Sequence, residues 1–139
     1  MKIFVFIIIA LTTAACGGSP TSPSNSGGTG GTGGTGGTGG NNPPVATTTI
    51  TITSAGVSPQ RITVAPGTRV TFINNDNRSH EINSDPHPTH GECPAIDDIG
   101  FIAAGQTKLT GNLTVARTCG FHEHNLFPAP AFTGQIIVQ

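Results

Sequence analysis

The sequence predicts an all-β domain, an antiparallel Greek-key β-sandwich, and three observations predict it. Short runs rich in β-branched residues recur between Val45 and Val138, a composition that suits a pleated, half-buried surface. Turn signals separate them at short intervals: Val57-Ser58-Pro59-Gln60, Pro66-Gly67, Asn75-Asp76-Asn77 and Gly111-Asn112. No window carries a helical apolar period. Short strands with regular turn chemistry between them are the pattern of a two-sheet sandwich.

In order, the run from Val45 to Thr53 alternates toward its end and reads as the first strand. Arg61–Val64 is a second short strand, closed by the tight Pro66-Gly67 turn. Thr68–Asn74 is a third, with Val70 and Phe72 on one face because side chains alternate along a strand. Gln106–Thr110 and Leu113–Cys119 follow, and Gly134–Val138 closes the chain. The folded domain is residues 45–139.

What precedes it is of another kind. Met1-Lys2, the apolar run Ile3–Leu11 and the small residues before Cys16 read as a secretory signal. The apolar run is too short for a bilayer, which takes roughly 20 residues of helix. Ala14-Ala15-Cys16 resembles a bacterial lipobox, with Thr13 where that pattern prefers Leu. It implies that residues 1–16 are a lipoprotein signal and that Cys16 is lipidated. The protein would then be exported and membrane-anchored, facing the periplasm or the cell exterior. Residues 17–44 contain Gly-Gly-Thr four times in succession. Such a segment buries too little apolar surface to offset its chain entropy. It reads as a flexible tether with a root-mean-square span of about 30 Å.

Residues 45–139 hold five Lys and Arg against all seven acidic residues, a formal charge of −2. No basic stripe exists to neutralise phosphates, which excludes nucleic acid as a partner. Nor is there a Ser-His-Asp arrangement, a phosphate-cradling loop or a usable carboxylate pair. The chemistry lies instead in two clusters. His80, His87, His90 and Cys93 form one; Cys119, His122 and His124 form the other. Imidazole and thiolate suit copper and zinc far better than calcium or magnesium.

With those residues in view, the run "VSPQRITVAPGTRVTFINNDNRSHEI" resembles the first half of the cupredoxins, the blue copper proteins such as plastocyanin and azurin. There a turn leads into Val-x-Phe-x-Asn, and a His follows as the first copper ligand; His80 occupies that place. "TCGFHEH" with the later "FTGQIIV" resembles the cupredoxin ligand loop and last strand. The resemblance covers nearly all of residues 50–139. It implies a cupredoxin-like sandwich, a copper cofactor and a redox protein partner. The departures are specific: the only Met is Met1, and Phe132 stands where an axial Met would. "SDPHPTHGECP" and His124 are not part of an ordinary blue-copper site and resemble a divergent secreted branch of the cupredoxins with His-Pro-x-His and His-x-His motifs.

Two accounts of the site follow. In the first, His80, His122 and Cys119 hold a type 1 copper, which suits one-electron transfer. In the second, Cys93 and Cys119 form a disulfide, as exported proteins favour, and histidines take the metal. There His80, His122 and His124 are the principal ligands, His90 joins them, and His87 is a further candidate on the stiff Pro86–Pro88 loop. Strand alternation favours this account, since His122 and His124 share a face that Cys119 does not. A bend at Gly120 would undo that argument. Glu92 and Glu123 read as solvated carboxylates near the site. The function expected is an exported, membrane-tethered copper protein for electron transfer or copper handling. A metal-free adhesion or interaction sandwich is one alternative. A second is a copper enzyme like superoxide dismutase, whose Gly-Phe-His-x-His motif "GFHEH" resembles.

Overall fold

A computed structural model describes residues 42–139. The expected signal segment, Cys16 and the expected tether up to residue 41 lie outside the described residues. Ten strands and one short helix follow in order: β1 (Val45–Ala46), β2 (Thr49–Thr53), β3 (Gly56–Ser58), β4 (Arg61–Val64), β5 (Thr71–Asn74), β6 (His80–Ser84), α1 (Pro94–Asp97), β7 (Gly100–Ile102), β8 (Thr107–Leu109), β9 (Arg117–Glu123) and β10 (Thr133–Val138). Two 3-10 turns, His124–Leu126 and Pro130–Phe132, lie between β9 and β10.

The strands form two sheets, as the β-branched runs predict. One has the order β1-β4-β10-β9-β6-β7 and the other β3-β2-β5-β8. Pairing is mixed: β1 with β4, β4 with β10 and β2 with β5 run parallel, and the rest antiparallel. The expected single strand Val45–Thr53 is broken at Thr47-Thr48. Its first part joins one sheet and its second part the other, so this stretch stitches the sandwich together.

The alternation of each strand sorts its side chains. In β2 the isoleucines Ile50 and Ile52 are buried while Thr49, Thr51 and Thr53 are half-exposed. Phe72 of β5 meets Phe121 of β9 edge to face, with ring centroids 5.3 Å apart. Ile62, Ile82, Ile102 and Ile136 close the core from the larger sheet. Each such side chain contributes roughly 1.5–3 kcal/mol on burial. Gly134, opposite Phe121 in the β9–β10 ladder, has no side chain because Phe121 and the Gln60 carbonyl fill that space.

Several elements depart from expectation. Gly56–Ser58 is a strand rather than part of a turn, and Leu113–Cys119 becomes a strand shifted to Arg117–Glu123. The unexpected β6 carries two polar side chains, His80 and Ser84, at positions that an apolar count assigns to hydrophobes. Helix α1 has Pro94 in its first turn, and its Asp97 accepts hydrogen bonds from the Ser84 N–H (2.7 Å) and hydroxyl (3.0 Å). Asp97 thus braces the helix against the end of β6.

Cys93 and Cys119 form a disulfide across 26 positions. Cys119 is therefore bonded to sulfur and does not offer a thiolate to a metal. Closing a loop of that length stabilises a fold by about 3–4 kcal/mol in the chain-entropy model. Replacing both cysteines with Ser should lower unfolding stability by that order in urea titration. Stability equal to that of the wild-type protein would show that the unbridged chain is already constrained.

Candidate metal centre

The β9 strand carries the site. Its register pairs His122 with Asn83 and Phe121 with Ser84 of β6, so His122 and Asn83 project from the outer face of the sheet. Phe121, Glu123 and Cys119 project inward. The strand runs straight through Gly120, and the bend that would have merged the two faces is absent. His122 is nonetheless only 1% exposed, because the loop after β6 folds back across it.

That loop is Asp85–Glu92. His90 N–H donates to the Pro86 carbonyl (2.8 Å), Glu92 N–H to the Asp85 carbonyl (2.9 Å) and Gly91 N–H to the Ser84 hydroxyl (3.0 Å). His90 itself has φ +51°, the left-handed region that non-glycine residues seldom occupy. The turn that results directs both loop histidines at β9. One nitrogen from each of His87, His90, His122 and His124 lies within 4.8 Å of the others. His122 Nε2 is 3.4 Å from His87 Nδ1, and His124 Nδ1 is 3.2 Å from His90 Nε2. Four ligands at metal–nitrogen distances of about 2.0–2.1 Å in a tetrahedron lie about 3.3 Å apart. Two of the pairs therefore have the spacing of neighbouring ligands on one ion, and all four nitrogens fall within 4.8 Å of one another. Phe127 stacks on His87 at 4.5 Å and meets the His122 ring at 5.1 Å, closing one side with an aromatic face.

The donor set fits a borderline cation. It holds four imidazoles and no thiolate or thioether, which suits copper(II) or zinc and disfavours calcium and magnesium. His90 Nδ1 is buried without a hydrogen-bond partner, so this ring has an engaged edge only toward the cluster. Of the expected ligands, His90, His122 and His124 are brought together, and His87 joins them. The signal for His87 lay in its flanking prolines: a stiff loop can hold a ring in place.

His80 does not belong to the cluster. It stands three residues before Asn83 in β6, and so faces the opposite side of the sheet from His122. Its Nε2 lies 3.0 Å from Asp76 Oδ2, its Nδ1 3.8 Å from Glu123 Oε1, and its ring stacks on Phe132 at 5.6 Å. Desolvation alone would raise the Asp76 carboxyl. The Asn77 N–H, the His80 ring and the Arg78 guanidinium together hold it below its usual range. With His80 and His122 on opposite faces and Cys119 bridged, the type 1 arrangement of His80, His122 and Cys119 is not assembled. Glu123 is also not solvated: it is buried and accepts from the N–H groups of Glu81 (3.1 Å) and Leu126 (2.6 Å).

No family model and no curated protein sequence matches this chain. Solved structures do match its fold. A purple cupredoxin from Nitrosopumilus maritimus aligns with 67% of this chain and 100% of its own at 16% identity, with a TM-score of 0.50. A mutant fern plastocyanin, solved oxidised and reduced, aligns with 66% and 99% at 17% identity, with a TM-score of 0.53. A mutant amicyanin in a reduced copper(I) form aligns with 73% and 89% at 18% identity, with a TM-score of 0.50. The likeness is one of architecture: the domain has the cupredoxin fold.

His87 carries a pH signature. Desolvation first, and then the neighbouring His124, His122 and His90, hold its imidazole below the ordinary histidine value of 6.5. The unfolded chain thus binds this proton more readily than the folded one. The associated stability is complete above pH 6.5 and is lost as pH falls through the folded value. Metal-free protein should show a falling urea midpoint below pH 6.5, with a shallower slope in His87→Gln. Equal slopes in the two proteins would remove His87 as the cause.

Proposed function

We propose that this cupredoxin-fold domain is an extracytoplasmic copper-binding protein, tethered to a membrane through a lipid on Cys16, that takes up copper(II) in an all-imidazole centre. One observation carries the reading: four imidazoles from a loop and from the end of β9 converge at coordination spacing. His87, His90, His122 and His124 would hold the ion, and copper would supply Lewis acidity and a one-electron couple there. Copper is favoured over zinc by the fold, since purple cupredoxin and copper(I) amicyanin share it.

The residues direct the reading toward copper handling. A blue-copper centre relies on a thiolate whose bonding changes little between oxidation states. Here the sulfur of Cys119 is engaged in a disulfide. Three of the four histidines are half-exposed at the rim of the sheet, where an ion can be acquired and passed on. The fold likeness to redox cupredoxins supports electron transfer to a protein partner as the second reading. A tether over residues 17–44 would suit either role, because it would let the domain sample partners around its anchor. The apolar leader and the Ala-Ala-Cys sequence support export and lipidation.

Titrating the purified full chain with copper(II) tests this. One copper per chain is expected, with nitrogen hyperfine structure in the electron paramagnetic resonance spectrum and only weak visible absorption. Replacing His122 or His87 with Ala should weaken binding by more than the roughly 10–100-fold typical of losing an outer-sphere partner. An intense thiolate-to-copper absorption would move the assignment to a blue-copper electron carrier. No retained metal would leave the interaction-module alternative.

A further inference from the structure

We propose that Asp85 is the positioning residue of the four-histidine centre, and that position 120 is glycine in order to admit its carboxylate. The inference rests on the metal-binding reading above.

Asp85 Oδ1 lies 2.8 Å from His122 Nδ1, the short distance of a charge-assisted hydrogen bond. A carboxylate only accepts, so Nδ1 carries the hydrogen and Nε2 carries the lone pair. Nε2 is the nitrogen that faces His87. One contact therefore sets both the tautomer and the ring rotation of the most buried ligand in the cluster. The His122 side chain is 1% exposed whereas that of Asp85 is 44% exposed. Water screens the carboxylate, so the pair adds little to folding; what it supplies is orientation.

Glycine in the middle of a strand weakens it and calls for a reason. At Gly120 the backbone gives none, since its φ does not lie in the left-handed region. Space does. Gly120 shares the outer face with His122, two residues on, and a Cβ there would overlap Asp85 Oδ2 and lie 2.9 Å from Asp85 Cγ. The three nearest atoms to that position all belong to the Asp85 side chain.

The main chain locks the same pair of residues together. Asp85 N–H donates to the Gly120 carbonyl (3.1 Å), extending the β6–β9 ladder by one bond. Gly120 N–H donates to Glu92 Oε2 (3.2 Å) at the far end of the loop. These bonds hold the Asp85 backbone beside Gly120, and its side chain lies back over Gly120 toward His122. Carboxylate–imidazole pairs of this kind orient metal-ligating histidines and raise their basicity.

The test uses the full chain, copper(II) sulfate as the probe, and the variants Asp85→Ala, Asp85→Asn and Gly120→Ala. All four ligands remain in each. Asp85→Ala and Gly120→Ala should each weaken copper(II) binding about 10–100-fold and shift the copper hyperfine splitting. Asp85→Asn, which keeps an acceptor oxygen, should recover part of the affinity. The double variant should be no worse than either single one, because both act through one contact. Near-ultraviolet circular dichroism of metal-free protein checks the fold, and should Gly120→Ala not fold, the Asp85 variants decide alone. Wild-type protein that takes up no copper(II) overturns the metal site itself. Wild-type binding with unchanged affinity and splitting in Asp85→Ala overturns the role of Asp85 and leaves the site standing.

Discussion

The strict alternation of β9 is the constraint on which the rest of this domain depends. Within seven residues the strand must serve two unlike environments. Cys119, Phe121 and Glu123 face the interior, where they supply the disulfide, the aromatic contact to Phe72 and a buried carboxylate. Gly120 and His122 face outward beneath the loop from Asp85 to Glu92. The β10 and β6 ladders on either side hold this register over six and three residue pairs. A slip of one residue would exchange the two sets, placing an imidazole against Phe72 and a phenyl ring among the histidines.

Fold and site are thereby separated in space but joined in covalent structure. The hydrophobic core closes around Ile50, Ile52, Phe72, Phe121 and Ile136, on the face of β9 opposite His122. The loop that bears His87 and His90 begins at the end of β6 and leads directly to Cys93, whose bridge returns it to β9. Both ends of the loop are thus anchored on the two strands that flank it. Glu123 adds a tie from inside, since it accepts from the Leu126 N–H and so closes the turn that begins at His124.

Much of this was legible in the sequence, and what was not depended on register. The β-branched runs and turn residues indicated two sheets of short strands. The three-residue step from Cys119 to His122 already separated sulfur from imidazole, and the expectation of export made a disulfide with Cys93 the natural alternative to a thiolate ligand. His80 was placed by its order relative to cupredoxin ligands. Order along the chain does not reveal that Asn83, and not His80, lies beside His122; that is a long-range property of strand pairing. Asp85 and Phe127 gave no signal of their own. One acts only because it meets Gly120 across a ladder, the other only because the chain after β9 returns over His87. Gly120 did stand out, but as a bend; its role is to leave room.

The location of the cross-link has a chemical consequence. Thiols exposed to oxidants pass through sulfenic to sulfinic and sulfonic acids, and a centre that relies on one is lost with it. In this domain both sulfurs of the folded region are already joined as cystine on the interior side of the sheet, away from the imidazoles. Aside from Met1 and Cys16, the chain contains no other sulfur. Peroxide, which would destroy a thiolate-ligated copper, finds no sulfur donor here to attack.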